Sequence, residues 1–84
     1  MEIETPLFSD LAKSFKPGIY QHFKGGLYEG LMVAKSSENR NEEFVVYRSI
    51  EKGIIWLRPI KMFFEEVEKD GYRGPRFTWV RELI

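Results

Sequence analysis

The sequence has no cysteine, one histidine and no surplus of either charge. Without thiols there are no disulfides, no thiolate nucleophile and no sulfur-ligated metal. With His22 as the only imidazole, a multi-histidine metal site is ruled out, and a Ser/His/acid triad would have that one base to draw on. Thirteen basic residues balance thirteen acidic ones, whereas a dedicated non-specific DNA binder needs a basic excess to displace counterions from phosphate. No run reaches the roughly 18 apolar residues of a membrane span. Met1 is not followed by the basic stretch and apolar core of a secretory leader, so a cytoplasmic protein with no membrane attachment is expected. Gly25-Gly26 lies in no GxGxxG or GxxxxGK pattern and reads as a turn, not as a phosphate loop.

What is present is aromatic. Seven Phe, four Tyr and two Trp stand among 84 residues, and large rings bury much area per residue, which suits a chain long enough for one core only. Residues 1–17 read as an extension and residues 18–84 as one small β domain. In the extension, Thr5-Pro6 breaks structure. Ser9 is placed to cap a helical turn that sets Leu11 and Phe15 on one face, so Leu7, Phe8, Leu11 and Phe15 are expected to pack on the domain or on a partner.

From Ile19 the pattern is extended. Ile19 to Phe23 reads as a strand, Lys24-Gly25-Gly26 as a turn, and Leu27 to Lys35 as a second strand with Gly30 as a bulge or close-approach point. Phe44-Val45-Val46-Tyr47 makes Glu42 to Ile50 the clearest strand. Lys52-Gly53 turns the chain into Ile54 to Arg58, which Pro59 ends. Two registers fit this hairpin, one with Tyr47 opposite Arg58 and one with Arg48 opposite Trp56; both bring an arginine beside an aromatic ring. Pro59 to Met62 suits a helical turn, Phe63 to Glu68 alternates apolar and acidic, Asp70-Gly71 is a turn, and Arg76 to Val80 is a last strand. Five or six short strands with a short N-terminal helical turn predict a mainly β fold, a small SH3-like barrel or roll, with an OB-like barrel as the rival.

Gly18-Ile19-Tyr20-Gln21-His22-Phe23-Lys24-Gly25, Glu43 to Arg48, Trp56-Leu57-Arg58-Pro59, Met62-Phe63-Phe64-Glu65 and Pro75-Arg76-Phe77 together resemble the small bacterial family catalogued as domain of unknown function 1653, whose pattern runs GxYxHYKGxxY, VVYR, WxRPxxMFxE and PRF. The resemblance covers about Gly18 to Phe77. It implies a shared fold and a cytoplasmic bacterial or phage-like setting, and it brings no activity with it. Tyr20, His22, Tyr28, Tyr47, Arg48, Trp56, Arg58 and Phe63 match. Phe23 stands where the family has Tyr, Ser36 where it has His, and the Glu51-Lys52-Gly53 connection is shorter.

Tyr20, His22, Tyr47, Arg48, Trp56 and Arg58 are the candidate ligand-binding residues; no catalytic set, metal site or cofactor is assigned. Aromatic rings offer stacking area, and guanidinium groups hold phosphate or carboxylate bidentately. The plain alternatives are that the aromatics form the core, that His22 is a hydrogen-bonded strand residue, and that Arg48 and Arg58 pair with Glu29, Glu43 or Glu65. Glu65, Glu66 and Glu68 read as a solvated strand, not a catalytic dyad, and Arg73, Arg76 and Arg81 as a modest basic cluster. The reading is a non-catalytic binding or adaptor module for an anionic or planar ligand, a peptide or RNA. Its rivals are a small enzyme acting on a nucleotide-like substrate with His22 as acid or base, and a homo-oligomerising structural protein, a homodimer included.

Overall fold

The computed structural model describes residues 8–83; the expectations for Leu7 and for Thr5-Pro6 fall outside them. The elements are α1 (Asp10–Lys13), β1 (Gly18–His22), β2 (Leu27–Lys35), β3 (Glu43–Ser49), β4 (Ile55–Pro59), α2 (Ile60–Phe63), β5 (Glu66–Lys69), β6 (Tyr72–Pro75) and β7 (Phe77–Arg81). The first sheet runs β4-β3-β2-β1-β7 and the second is the β5-β6 hairpin, all antiparallel. The fold is mainly β, as expected, with seven strands where five or six were predicted. Its end strands β4 and β7 do not pair, so the sheet stays open instead of closing into a barrel.

Turn chemistry fixes the hairpins. Gly25 and Gly26 sit at φ 99° and 79°, and the Gly25 N–H donates to the His22 carbonyl at 2.8 Å, conformations that glycine adopts without steric cost. Asp70 and Gly71, at φ 51° and 83°, form the two-residue turn that Asp-Gly favours. It joins β5 to β6, the strand hidden from sequence reasoning by the poor β formers Gly74 and Pro75.

Between β3 and β4 neither predicted register occurs. Tyr47 lies opposite Trp56, Arg48 opposite Ile55 and Val45 opposite Arg58. The connection is four residues long, Ile50 to Gly53: the Ser49 N–H donates to the Ile54 carbonyl at 2.9 Å, and the Ser49 carbonyl accepts from the Gly53 N–H at 2.7 Å. The arginine still meets the ring, now diagonally, because Tyr47 and Arg58 share a face.

The core lies between the sheet's inner face and the two helical turns. Phe63, 1% exposed, stacks on Phe77 at 4.3 Å and meets Tyr20 and Tyr47 edge-on at 5.2 and 5.6 Å. Burying one such side chain contributes about 1.5–3 kcal/mol. Gly30 lies beside a bulge in the β2–β3 pairing and against the Tyr20 ring, as both sequence readings anticipated.

Ser9 caps α1 by accepting from the Ala12 N–H, and its own N–H and hydroxyl donate to the Glu43 carboxylate at 2.9 and 2.6 Å. These bonds, with nearby Lys35, hold the Glu43 carboxyl below the usual range. Leu11 and Phe15 pack on the core, while Phe8 stays 39% exposed under the Lys35 ammonium.

Candidate functional site

Side chains alternate along a strand, so β1 presents His22 inward with Tyr20, β3 presents Tyr47 and Ser49, and β4 presents Trp56 and Arg58. Register then gathers them: Tyr28 lies opposite Ser49, Tyr47 opposite Trp56 and His22 opposite Phe77. Together with Lys52, Glu51, Gly26 and Leu27 these residues line a cavity of 330 Å³. Its wall is an aromatic lattice. His22 meets Phe77 edge-on at 4.9 Å, and Tyr28 meets Tyr47 and Phe77 edge-on, each at 5.6 Å.

Of the six expected ligand-binding residues, His22, Tyr47, Trp56 and Arg58 line the cavity and two do not. Tyr20 is 4% exposed, its hydroxyl donates to the Lys16 carbonyl at 2.6 Å, and burial pushes that hydroxyl's pKa up. It is a core residue one step deeper than His22. Arg48 follows Tyr47 directly, so alternation turns it to the outer face, where it pairs with Glu29, the residue opposite it on β2. That is the structural pairing anticipated for it. Tyr28, a possible stacking ring by sequence, was left out of the six, and Phe77, Ser49 and Lys52 were given no site role. Tyr28 did carry a signal, since it matched the family pattern.

Arg58 differs from Arg48 in having no paired carboxylate among the described residues. Its Nε donates to the Tyr47 hydroxyl at 3.1 Å, and its guanidinium carbon lies 5.7 Å from the centre of the Phe77 ring. The anchor uses one of five donors and leaves the terminal nitrogens for a ligand. Opposite, the His22 Nδ1 accepts from the Lys24 N–H at 3.1 Å, which requires a ring nitrogen without a proton. Burial first, then the charges of Arg58, Arg76 and Lys24, lower the His22 pKa. The neutral ring is therefore the stable form at neutral pH.

Beyond His22 and Arg58 a shallow groove of 550 Å³ continues past Lys24, Lys69, Arg76 and Glu65. Arg76 is committed there, bonding Glu65 at 2.7 Å and the Met62 carbonyl at 3.1 Å. Arg73 lies within 4.0 Å of both Glu66 and Glu68, so the basic cluster expected near the C-terminus is largely matched by acid. Among the described residues no group of three or more His, Asp or Glu could hold a metal ion, and no helix is long and apolar enough to cross a membrane.

The sequence family matched over residues 18–81 is described as a protein of unknown function, DUF1653. A search of curated proteins finds no match. A solved structure, the crystal structure of a DUF1653 protein from Bordetella bronchiseptica, is similar at 30% identity and a TM-score of 0.76, covering 87% of this chain and 96% of that one. On both grounds, the match over most of its length and the shared fold, the chain belongs to the DUF1653 family.

Proposed function

We propose that this chain is a non-catalytic binding module whose cavity takes a ligand combining a planar ring with an anionic group, such as a nucleotide or an RNA base with its phosphate. One observation carries the reading: Arg58 stands in an aromatic cavity with no carboxylate partner among the described residues and is oriented by the Tyr47 hydroxyl. An unpaired guanidinium is costly in such surroundings unless an anion completes it. Trp56, 47% exposed at the rim, supplies a face for stacking. His22 has a backbone N–H as its partner and no hydrogen-bonded carboxylate among the described residues, which favours a fixed wall over a proton-transfer role. The strand order, with a helical turn ahead of the last strands, supports the SH3-like description. The source of the similar solved structure supports a bacterial setting.

The test is a fluorescence titration in a Trp79→Phe background, where Trp56 alone reports. Nucleotides and short RNA oligomers are expected to give a saturable change, proline-rich peptides little. Arg58→Ala is expected to weaken binding about tenfold or more, the loss of one charge-assisted contact of about 1.5–3 kcal/mol. No response to any of the three ligand classes overturns the reading. Turnover of a nucleotide substrate abolished by His22→Ala would replace it with an enzyme.

A further inference from the structure

Strand β4 ends the five-stranded sheet, and no described strand pairs with its free side. Hydrogen-bond parity identifies what that side offers. Because the Ser49 N–H bonds the Ile54 carbonyl, Ile54, Trp56 and Arg58 direct their backbone groups to β3, while Ile55 and Leu57 turn theirs outward. Natural edges are blunted by lysine, proline or a bulge. This one carries Ile54, Ile55, Trp56 and Leu57 in succession, exposed by 44, 61, 47 and 62%, and proline comes only at its end. On the outer face Leu57 continues a row through Val46 to Met32, itself 56% exposed.

We propose that β4 pairs antiparallel with β4 of a second copy of this chain about a two-fold axis, merging the two sheets into one. Directly opposed residues in an antiparallel pair share a face, so Trp56 faces Trp56 of the second copy and Ile55 faces Leu57. That register matches the outward backbone groups of Ile55 and Leu57, and symmetry repeats the pair. Centring on Leu57 instead would set Ile55 against Pro59, which has no N–H to give.

Two further observations fit a second copy in preference to another occupant. Glu51, in the turn before β4, and Lys61, in α2 just after it, are both exposed and of opposite charge, and a two-fold that exchanges the strand's ends sets the acid of one copy on the side of the other's base. At the edge itself Ile54, Ile55, Trp56 and Leu57 leave uncovered on the order of 400 Å² of apolar side chain per copy, taking roughly 200 Å² for each. With the strand's backbone this exceeds half of the roughly 800 Å² per partner of a standard interface, the size of a weak, concentration-dependent dimer. The pairing also sets the two cavities side by side, because Trp56 belongs both to the axis and to the cavity rim. It does not depend on what the cavity binds.

Sedimentation of the full chain from about 1 µM to about 1 mM is expected to give a monomer–dimer equilibrium. Leu57→Lys, at an exposed position where the fold should survive, is expected to raise the dissociation constant about tenfold or more, and Ile55→Lys likewise. In the wild type, hydrogen exchange at the Leu57 amide is expected to slow as concentration rises, a readout that needs no variant. A monomer at every concentration overturns the proposal, as does a dimer indifferent to both lysines. Concentration-independent protection of Leu57 in a monomer also overturns it, because the edge would then be covered within a single chain.

Discussion

Replacing Gly30 with alanine tests how the core is built, because one methyl group there runs directly into two core rings. A Cβ at Gly30 would lie 2.7 Å from Cε1 and 2.9 Å from Cδ1 of Tyr20, and 3.2 Å from Cζ of Phe15. Ordinary carbon contacts lie near 3.5–4.0 Å, so the Tyr20 ring would have to retreat by most of an ångström. It has nowhere to go. Its hydroxyl is tied to the Lys16 carbonyl at 2.6 Å, and its ring lies between Phe15 at 6.0 Å and Phe63 at 5.2 Å.

Overpacking of this kind costs about 1–3 kcal/mol, and alanine's smaller loss of chain entropy returns about 0.5–1 kcal/mol. The net loss expected is about 1–2 kcal/mol, which for a domain of this size lowers the melting temperature by roughly 5–15 °C. Thermal unfolding followed by circular dichroism, with urea unfolding as a second measure, checks it. Gly25→Ala is the control, since nothing lies within 4 Å of the Cβ it would add and only its φ of 99° resists substitution. A second control is the double variant with Tyr20→Leu, where the two losses should fall well short of additive. Gly30→Ala at or above wild-type stability would refute the packing account.

Phe63→Ala removes the ring at the centre of the lattice and is expected to cost about 3–5 kcal/mol, enough to leave much of the protein unfolded at 37 °C by circular dichroism. Ser9→Ala removes the α1 cap and one bond to Glu43, a loss of about 1 kcal/mol read from the urea midpoint. For His22 the folded pKa lies below the usual 6.5, so the folded state binds fewer protons than the unfolded. Stability from this residue is then full above about pH 6.5 and is lost as pH falls toward the folded value. His22→Gln should flatten that part of a stability-against-pH curve, and an NMR-titrated His22 pKa at or above 6.5 would contradict the assignment.

The strands were legible where β-branched and aromatic residues cluster. Glu43–Ser49 falls inside the predicted Glu42 to Ile50, and Leu27–Lys35 coincides with its prediction. The β3–β4 register was not legible, because Lys52-Gly53 marks where a turn lies and not how many residues it spans; a hydrogen bond from Gly53 to Ser49 settles the length. Tyr47 and Arg48 were grouped as one site although adjacent strand residues face opposite ways, so alternation along the strand is by itself enough to separate them. Tyr20 and His22 do share a face, and only depth separates them: the hydroxyl reaching Lys16 marks Tyr20 as interior. Phe77 enters the cavity through the pairing of β1 with β7, strands far apart in sequence, which local spacing cannot disclose, whereas Tyr28 enters through the neighbouring β2–β3 pairing that sets it opposite Ser49.

The bond between the Tyr47 hydroxyl and Arg58 Nε joins a core residue to a cavity residue. The orientation of the guanidinium is thus inherited from the interior, and rigidity there is a form of recognition. Whatever loosens the aromatic lattice loosens the aim of Arg58, and an anion that engages Arg58 braces Tyr47 and the rings around it. Heat resistance and affinity become two readings of one quantity, so a thermal-shift screen of anions doubles as a search for the ligand.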